Sequence, residues 1–278
     1  MTDSDDNAYN SWSIARAAKA IASGNLTSEA LVASCLERIK EREAKVGAWI
    51  HLEPERALAE ARERDAASTL SPLHGIPFGI KDIMDTWDMP TGYGTPIYSG
   101  TQPVWDAACV ALLREAGCVA LGKTVTTEFA TRHPGKTCNP LDLNRTPGGS
   151  SSGSAAAVSD FMVPVALGTQ TTGSVIRPGA YCGVVAVKPT YGLINRSGVK
   201  ELSVSMDTVG YYTRTVEDAA LLLQVVANYP ETDFTVLADL KPKIAICRTT
   251  VWDQAKPETV ALFDSLSERM SAVGAEVR

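Results

Sequence analysis

The sequence predicts an α/β protein: a mixed, largely central β-sheet core covered by helices on both faces over residues 71–278, preceded by an N-terminal helical region over residues 1–70 that packs on it. Three observations predict this. From Leu73 onward, apolar runs of strand length (GIPFGI, CVALG, PVAL, GVVAV) alternate with segments of helical period. The first 70 residues carry helical stripes and little else. Between Thr146 and Pro178, two Gly/Ser-rich turns flank an Ala-rich segment and an apolar run. Strands separated by helices bury both faces of a sheet, which is the α/β arrangement.

The elements follow in order. Asn10 or Ser11 can cap a first helix, SWSIARAAKAIASG, that Gly24 would end. Thr27 caps a second, in which Leu31, Cys35 and Ile39 with Val32 and Leu36 form one apolar stripe. A third begins near Pro54, and its many charges predict a solvated outer face. At Leu73 the texture changes to LHGIPFGIKDIMDTWDMPTGYGT, apolar runs broken by Gly and Pro. Helical VWDAACVALLREAG leads into the strand-like CVALGKT; further strands are expected at Val163 to Leu167, Gly183 to Val187 and Lys243 to Cys247, with a helix in VEDAALLLQVVANY. The chain closes as strand, helix and the opening of another strand. Domains rarely end by starting a strand with nothing to pair with, so these residues are expected to be the N-terminal part of a longer polypeptide.

Composition narrows the function. With 278 residues, 45% of them hydrophobic, there is ample sequence for a sizeable core. No apolar run approaches the ~18 residues of a membrane span, and the acidic start MTDSDDNAYN is neither signal nor transit peptide. A cytoplasmic location is the default expectation. A net charge of −6 argues against direct nucleic-acid binding, which needs clustered Lys and Arg. The six cysteines are scattered, with no CxxC pair and no His at ligand spacing, which reads as reduced thiols and no metal site.

A Gly/Ser run alone reads as a flexible linker. Here the first turn, Pro147 to Ser154, leads into helical SAAAV, and the second, Gly168 to Ser174, follows the strand PVAL. Turns pinned between packed elements can hold N–H groups and hydroxyls at a reaction centre, so an active site built on serines is expected.

Three serine chemistries compete. Gly149-Ser150-Ser151-Ser152-Gly153 matches G-x-S-x-G with Ser151 as nucleophile, but that elbow wants its His downstream, and His51, His74 and His133 all lie upstream. Ser197-Gly198-Val199-Lys200 matches S-x-x-K without the motifs that accompany it, and reads as a loop. The third uses a lysine as base. Burial depresses a lysine pKa, and Lys81 follows the apolar run GIPFGI, although Asp82 and Asp85 beside it would by themselves keep it charged.

Taken together, GIPFGIKD, ALGKT, NPLDLNRTPGGSSSGSAAAV, VALGTQTTGSVIRP, CGVVAVKPTYG and SVSMDTVGYYTRTVEDAALL resemble the amidase signature family, in order, over Leu73 to Leu223. The resemblance implies a Ser-cisSer-Lys triad: Lys81 as base, Ser150 as the cis-serine that relays the proton, and Ser174 as nucleophile. It implies an oxyanion hole from the backbone N–H groups of Thr171, Thr172, Gly173 and Ser174, and support from Gly149, Ser151, Arg177 and Asp207, the last two through an ion pair or hydrogen-bond network. Tyr211, Tyr212 and Cys138, with His133 nearby, are expected toward a substrate pocket; core packing is the equal alternative for the tyrosines. Two residues depart from the family pattern, Ser152 and Thr172, each standing where glycine is usual. A β-branched residue at 172 must hold a negative φ or be strained.

The function so implied is hydrolysis of a C–N bond in an amide, carbamate or urea-like small molecule, with no metal or organic cofactor and no membrane; a homodimer is left open. The alternatives are a glutaminase subunit of an aminoacyl-tRNA transamidation complex, against which Gln170 stands where such subunits tend to carry Asp, and a catalytically silent binding protein of the same fold.

Overall fold

A computed structural model describes residues 8–228 and 240–278, so most of the acidic start and Tyr229, the last residue of VEDAALLLQVVANY, lie outside the described residues. The chain divides into two compact units, Met1–Pro230 and Glu231–Arg278.

In the first unit, α1 (Ile14–Ala22) is capped by Ser13, whose Oγ accepts the Arg16 N–H at 3.1 Å. The cap is thus not Asn10 or Ser11, because Tyr9–Ser11 form a separate 3-10 turn. Helix α2 (Ser28–Val46) starts at Thr27, which accepts the Ala30 N–H, and buries Leu31, Val32, Cys35 and Ile39 along one stripe. Strand β1 (Trp49–Leu52) then precedes α3 (Pro54–Ala66). The charges of α3 are less solvated than their number predicts: Arg56 pairs with Asp88 at 2.9 Å and Glu60 with Arg64 at 3.3 Å, Glu60 being only 11% exposed.

Next come β2 (Pro77–Lys81), α4 (Ala108–Glu115), β3 (Val119–Thr124), α5 (Ser152–Ser159), β4 (Val165–Gln170), α6 (Ile176–Cys182), β5 (Val185–Val187), β6 (Thr208–Thr213) and α7 (Val216–Val226). The sheet has the order β1-β3-β2-β4-β6-β5. Its centre, β3, β2 and β4, is parallel, and β1, β6 and β5 join antiparallel. The sheet is therefore mixed. Strands β2, β3, β4 and β6 are buried at every residue, the signature of a sheet covered on both faces.

Two strands escape the sequence reading. In β1 a single buried Trp49 is followed by exposed or half-buried residues, too little alternation to register, and β6 begins polar, with Thr208 directly after Asp207 and before its apolar residues. Strand β4 runs three residues further than the apolar run, because Thr169 and Gln170 are held by pairing with Val209 and Thr208. In the second unit, β7 (Lys243–Ile244), α8 (Pro257–Ala272) and β8 (Glu276–Val277) make a parallel βαβ. The final strand thus has a partner, β7.

Candidate active site

Parallel neighbours β2 and β4 end side by side, and the site is built at those ends. The last residue of β2 is Lys81; β4 ends in Thr169-Gln170 and runs directly into the second Gly/Ser turn. The first turn enters α5, whose small residues let it sit inside the protein. A Cβ on Gly153 would come 2.2 Å from the Ala48 oxygen and 2.4 Å from the Val125 nitrogen. Hydroxyls anchor this segment. Ser154 Oγ donates to the Leu167 oxygen at 2.7 Å, Ser152 Oγ to that of Val125 at 3.2 Å, and Ser151 Oγ to that of Thr169 at 3.2 Å while accepting the Thr169 N–H. The serines that follow Ser150 are therefore a set of tethers, and the glycine usual at 152 is replaced by one of them.

Lys81 and Ser150 meet in this interior. Lys81 is fully buried and Ser150 is 1% exposed; Nζ and Ser150 Oγ are hydrogen-bonded at 2.7 Å, and Nζ donates to Thr169 Oγ1 at 2.9 Å. The Gly149–Ser150 peptide is cis. The Gly149 carbonyl accepts from Arg177 Nε at 3.1 Å and Nη2 at 2.8 Å, while the Ser150 oxygen accepts the Thr127 N–H at 3.1 Å.

Burial pulls the Lys81 pKa well below the ordinary lysine value, because a charged amine without water is disfavoured; the negative charge of Asp207 opposes this. Asp82 and Asp85, one and four residues further along the chain, act elsewhere. Their charges raise a second buried amine, Lys123, which burial nonetheless lowers to about 8 and which donates to Met84 O and Thr91 Oγ1. The Asp82 carboxylate itself accepts the N–H groups of Gly92 and Gly94. This separates Lys81 from the carboxylates that sequence proximity alone assigns to it.

Ser174 lies on the second turn, 8% exposed. Among the described residues its hydroxyl has no hydrogen-bond partner; the two turns are joined instead through the main chain, Ser151 N–H to Ser174 O at 3.2 Å. Thr172 has no positive φ, so the β-branched departure is accommodated without the left-handed strain. Among the described residues, the N–H groups of Thr171, Thr172, Gly173 and Ser174 donate to no protein acceptor, whereas the next two, Val175 and Ile176, both donate to Gln170 Oε1 at 2.9 Å. A run of free donors beside a hydroxyl is the arrangement an oxyanion needs.

The remaining expected residues divide. Asp207 accepts from Thr171 Oγ1 at 2.5 Å and from the Leu202 and Ser203 N–H groups, fixing the start of the second turn. Among the described residues it forms no ion pair with Arg177, which is committed to Gly149. Tyr211 and Tyr212 are packed in the core, the alternative the sequence left equal. Both are essentially buried, Tyr211 donating to the Ala219 oxygen at 2.8 Å and Tyr212 to those of Ser174 at 3.3 Å and Val175 at 3.1 Å. Cys138 is half-buried, its N–H on Val46 O, and among the described residues no hydrogen bond takes it to Lys81, Ser150 or Ser174. His133 is exposed.

Thr169 is a site residue that sequence reasoning missed, and Gln170 figures there only as a mark against the transamidation alternative. Both stand in VALGTQTTGS, and their polarity at the end of an apolar strand was the available signal. Beside Asp207 a cleft of about 530 Å³ opens, lined by Asn195, Arg196, Val199 and Lys200, of a size that small-molecule sites occupy. Among the described residues no group of three or more His, Cys, Asp or Glu could hold a metal ion, and no helix is long and apolar enough to cross a membrane.

A mixed sheet whose parallel central strands end in a buried lysine, bonded to one serine turn and flanked by a second, defines the amidase-signature class of fold. The chain belongs to the Amidase family, whose model matches residues 30–278. It is 42% identical over 232 residues to a glutamyl-tRNA(Gln) amidotransferase subunit from Chloroflexus aggregans, covering 80% of this chain and 48% of that one. To the subunit of the same name from Streptomyces avermitilis it is 41% identical, covering 89% and 52%. Among solved structures, the native peptide amidase of Stenotrophomonas maltophilia matches with a TM-score of 0.86 at 32% identity, covering 97% of this chain and 62% of that one. The chain thus spans about half the length of the curated relatives it matches.

Proposed function

We propose that the protein hydrolyses the C–N bond of a small-molecule amide, or of a carbamate or urea-like relative, through an acyl-enzyme on Ser174. The observation that carries this reading is a fully buried amine with a depressed pKa, 2.7 Å from the Ser150 hydroxyl, beside a serine turn with four free N–H donors. Neutral Lys81 accepts the Ser150 proton as Ser150 takes that of Ser174, and Ser174 Oγ bonds to the carbonyl carbon. The oxyanion is held by the free N–H groups. As the C–N bond breaks, the proton returns through Ser150 to the leaving nitrogen, and Lys81 is neutral again. Water then enters by the same relay and releases the acid. The missing Ser150–Ser174 hydrogen bond closes when Ser174 rotates against a bound carbonyl, as catalytic hydrogen bonds often tighten on binding.

The test is a panel of aryl amides, carbamates, ureas and glutamine with the wild type and with Ser174→Ala, Ser150→Ala and Lys81→Met. Each variant is expected to lose roughly 10³-fold or more, since members of one relay fail together. Any variant turning over at the wild-type rate overturns the triad. A wild type that hydrolyses nothing and whose Ser174 takes no fluorophosphonate label overturns the hydrolase reading in favour of a silent binding protein. A second reading, a glutaminase that supplies ammonia to partner subunits, is favoured by the similarity to amidotransferase subunits. Glutamine turnover that rises on adding such partners would select it.

A further inference from the structure

We propose that Gln170 is a positioning residue for the oxyanion hole: its side-chain amide locks the Thr172–Gly173 peptide in the one orientation that presents the Gly173 N–H to the reacting carbonyl, and Thr172 guards that orientation. The inference deepens the hydrolase reading and rests on it.

The orientation of the Gln170 amide is fixed by its partners. Oε1 accepts two main-chain N–H groups, those of Val175 and Ile176, both at 2.9 Å, so Nε2 faces the other way and donates to the Thr172 oxygen at 3.1 Å. With the residue 7% exposed, water is a poor substitute for these partners. In a trans peptide the C=O and the following N–H point in opposite directions. A Thr172 carbonyl drawn onto Gln170 therefore turns the Gly173 N–H away from Gln170. The neighbouring unit is set likewise, for the Gly173 carbonyl accepts the Arg177 N–H at 2.9 Å, which directs the Ser174 N–H outward. The Gly173 and Ser174 N–H groups thus both belong to peptides anchored from behind. Because Oε1 occupies the N–H groups of Val175 and Ile176, neither competes with them.

Thr172 serves the same end. A glycine at 172 would leave the peptide free to flip through positive φ. A threonine held at negative φ raises the barrier to that flip. The amide of Gln170 is also specific. A carboxylate would keep both acceptor contacts, yet it has no donor for the Thr172 oxygen and would set negative charge behind the oxyanion. Gln170→Glu therefore removes one half of the latch while preserving the other.

The experiment compares the wild type, Gln170→Glu, Gln170→Ala and Thr172→Gly on the best amide of the panel. Gln170→Glu is expected to lower kcat by about 10²-fold, the effect of losing one oxyanion donor, with KM within about threefold and a melting transition that stays cooperative and above the assay temperature. Affinity for a trifluoromethyl ketone, whose adduct carries the oxyanion, should fall in parallel with kcat. Thr172→Gly should lower kcat several-fold and, combined with Gln170→Glu, lose more than the product of the single losses. An undiminished kcat in Gln170→Glu, a loss carried by KM, or unchanged ketone affinity overturns the proposal. Crystal structures of the wild type and Gln170→Glu judge it independently of turnover. A Thr172 carbonyl rotated off residue 170 in the variant supports it and an unmoved turn refutes it, so failure of the hydrolase reading itself, seen as an inert wild type, is separable.

Discussion

Arg177 offers a direct test of how Ser150 is presented to Lys81. Its Nε and Nη2 both donate to Gly149 O, at 3.1 and 2.8 Å, and hydrogen bonds from a charged group contribute about 1.5–3 kcal/mol. The side chain is exposed, so solvent screening places the value near the lower end, about 1.5 kcal/mol. If that interaction holds the Ser150 hydroxyl at Lys81, Arg177→Ala should lower kcat about tenfold, since about 1.4 kcal/mol is a factor of ten. Arg177→Lys keeps the charge but has one ammonium where there was a fork, so an intermediate loss is expected. The assay is steady-state hydrolysis of a neutral amide, with a melting curve for each variant. Wild-type kcat in Arg177→Ala would refute the positioning role, and a loss appearing only in KM would make Arg177 a substrate contact instead.

The remaining predictions are shorter. Activity needs Lys81 neutral and burial lowers its pKa, so kcat/KM should rise with pH through that lowered value and level off well below the ordinary lysine value of 10.5; a rise completed only at ordinary lysine pH would contradict it. Lys123 titrates near 8 in the fold against 10.5 unfolded, so the unfolded chain binds the extra proton and stability falls as pH drops across that window. Lys123→Met should flatten this dependence by on the order of 3 kcal/mol, read from denaturant unfolding at about pH 7.5 and about pH 10, either side of most of that window. Tyr211→Phe should lose about 1 kcal/mol of stability with full kcat, whereas Tyr212→Phe, which removes one donor from each of the Ser174 and Val175 carbonyls, should lower kcat several-fold; equal kcat in both would refute the distinction. Gly153→Ala should fail to accumulate as soluble protein, because its Cβ has backbone on two sides.

Much of this architecture was legible. Periodicity located α2, α3 and the strands that carry continuous apolar runs, and the turn chemistry of Thr27 and Pro54 set their starts. What escaped was held by tertiary partners. Strand β1 exists because β3 offers it an edge, and the Thr169-Gln170 end of β4 because β6 pairs with it. The same logic governs the site. Lys81, Ser150 and Ser174 could be named from a motif, but Thr169 and Gln170 act through neighbours that a linear pattern does not identify. The fate of Asp82 and Asp85 is the clearest case: one and four residues past Lys81 in sequence, they exert their charge on Lys123, because the chain turns directly after β2, where the Lys81 carbonyl accepts the Ile83 and Met84 N–H groups.

The pairing of β2 with β4 has a consequence for how the chemistry is encoded. Gly79 lies opposite Ala166, and a Cβ on Gly79 would meet Thr124 and Trp49 side chains at 3.1 Å, so this pairing of two small residues locks the strands at one offset. Side chains alternate along a strand, and slipping β2 by a single residue would turn the Lys81 amine to the other side of the sheet. The address of the base is therefore written two residues upstream of it, in the absence of a side chain.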